Sequence, residues 1–205
     1  HGQSPRSEVF NYEVMAPDLN AYLDEYNVQN PIIMGHSMGG KTVMTFGQTY
    51  ANFSKLIVVD IAPRFYPTHH AHILAGLAAI DLSKITSRKD AEDIFSNYVS
   101  DFGEKQFILK NLYRTEEGGF DWRINIPVIS SEIYQIGGEI ILDKKVEKPT
   151  LLIRGSDSSY VTDADFEVFK SSFVNAKLLT IQGANHWVHA TRPVEFVEAI
   201  LEFSV

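Results

Sequence analysis

The chain contains no cysteine. Disulfides, a thiol nucleophile and thiolate-held metals are therefore excluded, and the cytoplasm is the expected location. Basic residues are also scarce, with 18 Lys and Arg against 26 Asp and Glu and a formal net charge of −8. That sign repels a phosphate backbone, so nucleic acid is not an expected partner. No apolar run approaches the ~20 residues a membrane span needs. The first residue is His rather than Met, so any leader peptide would be invisible in these residues. What is present is ordinary for a globular protein. The chain is 44% hydrophobic and 21% charged over 205 residues, enough for a sizeable core and too apolar for a disordered chain.

Apolar runs alternate with helical periodicity. Residues 1–10 read as a loop rich in Gly, Ser and Pro. Met15, Leu19, Tyr22, Leu23 and Tyr26 recur at three- and four-residue spacing, which predicts an amphipathic helix over about 12–27. Asn30-Pro31 ends it, and Ile32–Met34 follow as a short strand without polar alternation, expected to be buried on both faces. Further strands are predicted at 55–60, 149–155 and 176–181, with helices at 41–50, 163–173 and 193–203. Strand–helix alternation of this kind makes parallel βαβ units and a three-layer α/β domain. Between 64 and 148 the rhythm breaks. Residues 73–80, 90–99 and 104–112 read as helices, Gly118-Gly119 and Gly137-Gly138 as turns, and no strong strand appears before Lys148. The expected organisation is thus a core of 1–63 and 149–205 carrying a helical lid of 64–148. The lid placement follows because open α/β sheets bind ligands outside the carboxyl ends of their strands, where this insert begins.

The stretch Gly35-His36-Ser37-Met38-Gly39 closes the first strand and opens a helix. A Gly-x-Ser-x-Gly in that setting is a nucleophile elbow, which holds the serine at the apex of a strained turn. Gly35 and Gly39 are expected to lack room for a Cβ where strand and helix cross. The N–H of Met38, at the helix N-terminus, is placed to meet the oxygen of a bound carbonyl as it gains charge.

Acyl transfer by serine needs a base and a carboxylate that orients it. Of seven histidines, His186 follows the last strand at the reactive edge, where the order Ser, acid, His puts the base. His189 lies three residues on, and His36 sits inside the elbow, better placed to shape the pocket than to act as base. His69, His70 and His72 resemble a metal cluster only superficially, because adjacent histidines on a Pro-bounded loop are usually solvated; neither metal nor cofactor is expected. Two acids compete, since Asp60 ends the second strand and Asp157 follows the third. Both belong to the same edge, and spacing does not separate them.

Several stretches together resemble the α/β-hydrolase superfamily, and more narrowly the small bacterial esterases related to mammalian abhydrolase-domain protein eleven. They are His1-Gly2-x-Ser4-Pro5, Gly35-His36-Ser37-Met38-Gly39-Gly40-Lys41, Val59-Asp60-Ile61-Ala62-Pro63, residues 107–112, residues 122–127 and Asn185-His186-Trp187-Val188-His189. The resemblance spans nearly the whole chain and implies that the acid is Asp60. It also implies Asn where this chain has Asp157, and Gly where it has Asn185, a residue that tolerates a left-handed backbone.

The resemblance further implies that strands and a second oxyanion donor precede the segment beginning at His1-Gly2. A preceding segment or companion fragment is therefore expected, since the first strand would otherwise leave an apolar sheet edge open. The expected function is hydrolysis of small acyl esters or thioesters by Ser37, His186 and Asp60, with Met38 N–H at the oxyanion. Alternatives from the same fold are a catalytically silent binding protein and lyase- or haloperoxidase-like chemistry; a dehalogenase would carry Asp at the elbow. Aromatic residues between 64 and 148 read chiefly as packing of the insert. Substrate identity and oligomeric state are not legible in the sequence.

Overall fold

The computed structural model describes residues 4–68 and 70–205, and its contacts divide it into two compact units. A sheet unit comprises Asn11–Tyr66 and Gly138–Val205, and a helical unit comprises the described residues of Pro67–Gly137 with residues 4–10. In chain order the sheet unit contributes α1 (Tyr12–Glu25), β1 (Ile32–His36), α2 (Met38–Thr49) and β2 (Lys55–Val59). The helical unit follows with α3 (Ala71–Ala79), α4 (Arg88–Phe95), α5 (Phe102–Leu109), β3 (Leu112–Arg114), β4 (Phe120–Trp122) and α6 (Ile126–Gly137). The sheet unit resumes with β5 (Thr150–Gly155), α7 (Asp163–Ser172), β6 (Ala176–Ile181), α8 (Val188–Thr191) and α9 (Pro193–Ser204).

β1, β2, β5 and β6 form one parallel sheet in that order, so all four carboxyl ends lie along one edge. Alternate residues of the inner strands feed two cores. Leu56, Val58 and Leu152 pack with Ala16, Met44, Phe46 and Phe169 from α1, α2 and α7. Ile57, Val59, Leu151 and Ile153 pack against Val188, Phe196 and Ala199 from α8 and α9. These are the three layers expected of strands apolar on both sides. Local signals set the helix starts. Asn11 Oδ1 accepts from Val14 N–H at 3.1 Å, and Thr162 and Asp165 form a reciprocal capping box.

Two expectations change here. β1 is not buried on both faces, because it is the outermost strand and its side chains alternate: Ile33 is buried, whereas Ile32 and Met34 are 38% and 49% exposed. The insert also contains strands. α5 stops at Leu109, Leu112 starts β3 instead of extending a helix, and β3 pairs antiparallel with β4. Gly118 turns that hairpin with φ +88°. The helical unit has its own core, in which Leu77, Phe95, Leu109 and Trp122 are buried together.

Gln48 ties α2 to the segment leading into β5. Its Nε2 donates to Ser172 Oγ at 2.8 Å and to Lys144 O at 3.2 Å, and its Oε1 accepts from Lys144 N–H at 2.9 Å. Gln48→Leu keeps the volume but strands these partners. It is expected to cost about 1–3 kcal/mol in urea unfolding, the range for an orphaned buried polar group; an unchanged midpoint would show the bonds to be dispensable.

Candidate active site

The turn from β1 into α2 is set by two close approaches, one to backbone and one to a side chain. A Cβ on Gly35 would lie 2.1 Å from Gly39 O, and one on Gly40 would lie 2.5 Å from Ile61 Cγ2. Gly39, expected to be equally confined, has open space around it; Gly40 is the second confined glycine. At the apex Ser37 adopts φ +54°, ψ −119°, a backbone region costly for a residue with a side chain. Its N–H donates to Val59 O on β2 at 3.0 Å, fixing the strained residue to the sheet. Met38 begins α2 immediately after it, with its N–H in the helix's first turn.

The same edge carries the other groups. His186 Nε2 lies 3.1 Å from Ser37 Oγ, and His186 Nδ1 lies 2.8 Å from Asp60 Oδ2. Asp60 is fully buried and also has positive φ, +50°. Its N–H donates to Ile153 O at 2.7 Å, its Oδ1 accepts from Gly155 N–H at 3.0 Å, and Ser158 Oγ donates to its Oδ2. A buried carboxylate needs such donors to offset lost hydration. Asp157 is exposed; its Oδ1 accepts from Ser156 Oγ at 2.8 Å, and the carboxylate beside His186 is that of Asp60. Gly155 lets β5 pass under the His186 loop, since a Cβ there would come 2.3 Å from Ala184 O. Asn185 does not use the left-handed backbone; Gly183 does, at φ +68°, and Asn185 Oδ1 accepts from Trp187 N–H at 2.8 Å.

Three neighbours were not singled out by the motifs as parts of this site. Tyr160 stacks on the His186 ring at 3.8 Å between centroids, Ser158 bonds the acid, and Tyr66 stacks on Tyr160 at 5.3 Å. Tyr66 Oη donates to Tyr160 O at 2.6 Å and accepts from Ala62 N–H at 2.8 Å, and burial pushes its hydroxyl up to about 12, keeping it protonated. The serine-rich run after β5 was the available signal for Ser158; the tyrosines carried none beyond composition. Beneath Tyr66 lies Lys41, 1% exposed, which donates to Arg64 O at 2.9 Å and to Gly138 O. Burial pulls its ammonium down to about 8.

His36 and His189 stand beside His186 rather than within the chain of bonds to Ser37, with ring centroids 4.8 Å (His36–His186) and 5.2 Å (His36–His189) apart. His69 lies outside the described residues. Among the described residues no group of three His, Cys, Asp or Glu could hold a metal ion, and no helix is long and apolar enough to cross a membrane.

Known proteins share this architecture. The α/β-hydrolase-fold family model matches residues 1–108. The chain belongs to the α/β-hydrolase family. It is 36% identical to the zebrafish (Danio rerio) sn-1-specific diacylglycerol lipase ABHD11 over 99% of its length, spanning 66% of that protein. It is 34% identical to esterase YbfF of Escherichia coli, again over 99% of this chain and 78% of the relative. A solved marine microorganism esterase superposes with a TM-score of 0.93 at 41% identity, over 99% of this chain and 81% of that one. Relatives named as esterases and a lipase support a hydrolase.

Burial also holds the His36 imidazole below its usual range, against weaker opposing contributions from its bond to His186 O and from Asp60, while His186 and His189 push the same way as burial. The unfolded chain therefore binds this proton more readily than the fold. The stability contributed by a neutral His36 is present above the unfolded value of about 6.5 and is lost as pH falls through the lower folded one. His36→Phe is expected to flatten the acid limb of a stability–pH curve measured by urea unfolding, and an identical limb would rule His36 out as its source.

Proposed function

We propose that the chain is a serine hydrolase that cleaves carboxylic acyl esters or thioesters through an acyl-enzyme, without a cofactor. The observation that carries this reading is the continuous run of contacts from Ser37 Oγ through both ring nitrogens of His186 to Asp60 Oδ2, at 3.1 and 2.8 Å. Ser37 Oγ attacks the carbonyl carbon while its proton moves to His186 Nε2; Asp60 holds the Nδ1–H and offsets the imidazolium charge. The tetrahedral oxygen faces the Met38 N–H at the start of α2. Collapse breaks the bond to the leaving alcohol or thiol, which takes the proton from Nε2. Water, deprotonated by the same nitrogen, then releases the acid and restores Ser37.

The names of the relatives support esters as the substrate class. A lid role for 64–148 is supported by its mainly helical make-up and by its departure after the carboxyl end of β2. Among the described residues no strand pairs with the outer edge of β1, where Ile32 and Met34 are exposed, and this supports the expectation of a companion segment that pairs there. Absence of cysteine favours the cytoplasm.

A fluorophosphonate probe is expected to label Ser37, and Ser37→Ala to abolish both labelling and turnover of p-nitrophenyl acetate. Wild-type turnover in that variant would eliminate the nucleophile. Asp60→Asn is expected to lower kcat by about 10⁴-fold, the scale of replacing a triad acid by its amide. Asp157→Asn is expected to stay within twofold of wild type; a larger effect there than at Asp60 would reassign the acid.

A further inference from the structure

Positioning the base is a backbone problem as much as a side-chain one. His186 sits in the irregular stretch between β6 and α8, where no strand or helix ladder holds it. The ring is restrained by Ser37, Asp60 and Tyr160, but a ring can be aligned only if its own Cα is fixed. The His186 carbonyl meets one imidazole, that of His36, with Nε2 2.8 Å from the oxygen. His36 is the last residue of β1 and the immediate neighbour of Ser37. Two consecutive residues thus hold His186 from opposite ends: Ser37 Oγ lies at its ring nitrogen and His36 Nε2 at its backbone oxygen.

We propose that His36 is a positioning residue, whose Nε2–H donates to the His186 carbonyl and couples the base to the strand that carries the nucleophile. The inference rests on the reading of His186 as the base. A carbonyl oxygen only accepts, so the proton must be on His36 Nε2, which assigns the tautomer. The ring is wedged against its neighbours: Trp187 lies 5.5 Å from it and tilted by 44°, and His189 lies 5.2 Å away and edge-on at 76°. Burial favours the neutral form, and the positive end of a protonated His36 would face His186 at the moment that ring gains its own proton. The Gly-x-Ser-x-Gly pattern leaves the residue before the serine open; here the geometry gives that position a task. Neither substrate nor reacting atoms need touch His36, so it acts through His186 alone.

The effect should appear in kcat. A misplacement of about 1 Å at a reacting group costs on the order of 10²-fold. His36→Phe keeps the ring but removes the donor, and is expected to lower kcat on p-nitrophenyl acetate by about 10- to 100-fold with KM within twofold. His36→Gln, whose amide nitrogen can occupy about the place of Nε2, is expected to recover most of that loss. A Phe variant within twofold of wild type, or a Gln variant no better than Phe, overturns the proposal. Long-range ¹H–¹⁵N NMR of histidine-labelled protein supplies a readout independent of turnover and needs no variant to fold. At neutral pH His36 is expected as the Nε2–H tautomer, and finding Nδ1–H overturns the proposal whatever the activity. Wild-type protein with the Nε2–H tautomer but no fluorophosphonate labelling would instead sink the hydrolase reading while upholding the His36–His186 bond.

Discussion

Between β1 and α2 the backbone passes so close to itself that a Cβ on residue 35 would lie 2.1 Å from the Gly39 carbonyl. Strand and helix cannot move apart to relieve this, because Ile33 and Met44 are buried in one core on the same face of the sheet. The turn must therefore be tight, and a tight turn of this hand places Ser37 at φ +54°. From that follow the projection of Oγ over the sheet edge, the bond from Ser37 N–H to β2, and the start of α2 one residue later. The unfavourable dihedral persists because the packing on either side over-determines it.

The end of β2 repeats the device. Asp60 also directly follows its strand, also has φ near +50°, and also donates its N–H to a carbonyl of the next strand. Ser156, after β5, donates in the same manner to Ile181. Each strand is thus pinned to its neighbour one step past its regular end, and the edge becomes a rigid shelf. A positive φ at Asp60 turns its carboxylate inward beneath the His186 loop, where Gly155 N–H, Ser158 and His186 meet it. Rigidity at this edge suits a hydrogen-bonded relay, whose geometry tolerates little play.

Much of this was legible residue by residue. Gly-x-Ser-x-Gly between an apolar run and a helical pattern marked the turn, and chain order singled out His186. Asp60 and Asp157 were not separable from the residues, because both follow strands at one edge. What divides them is backbone direction: Asp60 turns under the sheet edge, while Asp157 projects into solvent. Position 39 misled because a Cβ on Gly39 would meet nothing, and the crowding falls on Gly40. β1 looked buried because Ile, Ile and Met carry no polar marker for its exposed face. The β3–β4 hairpin was missed because three-residue strands are too short for a period of two to emerge. His36 was legible only as a residue that shapes the pocket, and its partner was not, since that partner is a main-chain oxygen 150 positions away.

The strand order has a bearing on how the molecule comes into being. β2 pairs with β5, about ninety positions later in the chain, and everything in between belongs largely to the other unit. During synthesis the turn from β1 into α2 can form before β5, but Ile57 and Val59 wait without their cover until β5 and α9 emerge. The carboxylate at the end of β2 likewise waits for its donors on Gly155 and Ser158. The contacts joining Ser37, His186 and Asp60 are therefore among the last to form. Chains cut short before residue 186 carry Ser37 without the imidazole that meets its hydroxyl, while Ile57 and Val59 still lack part of their cover.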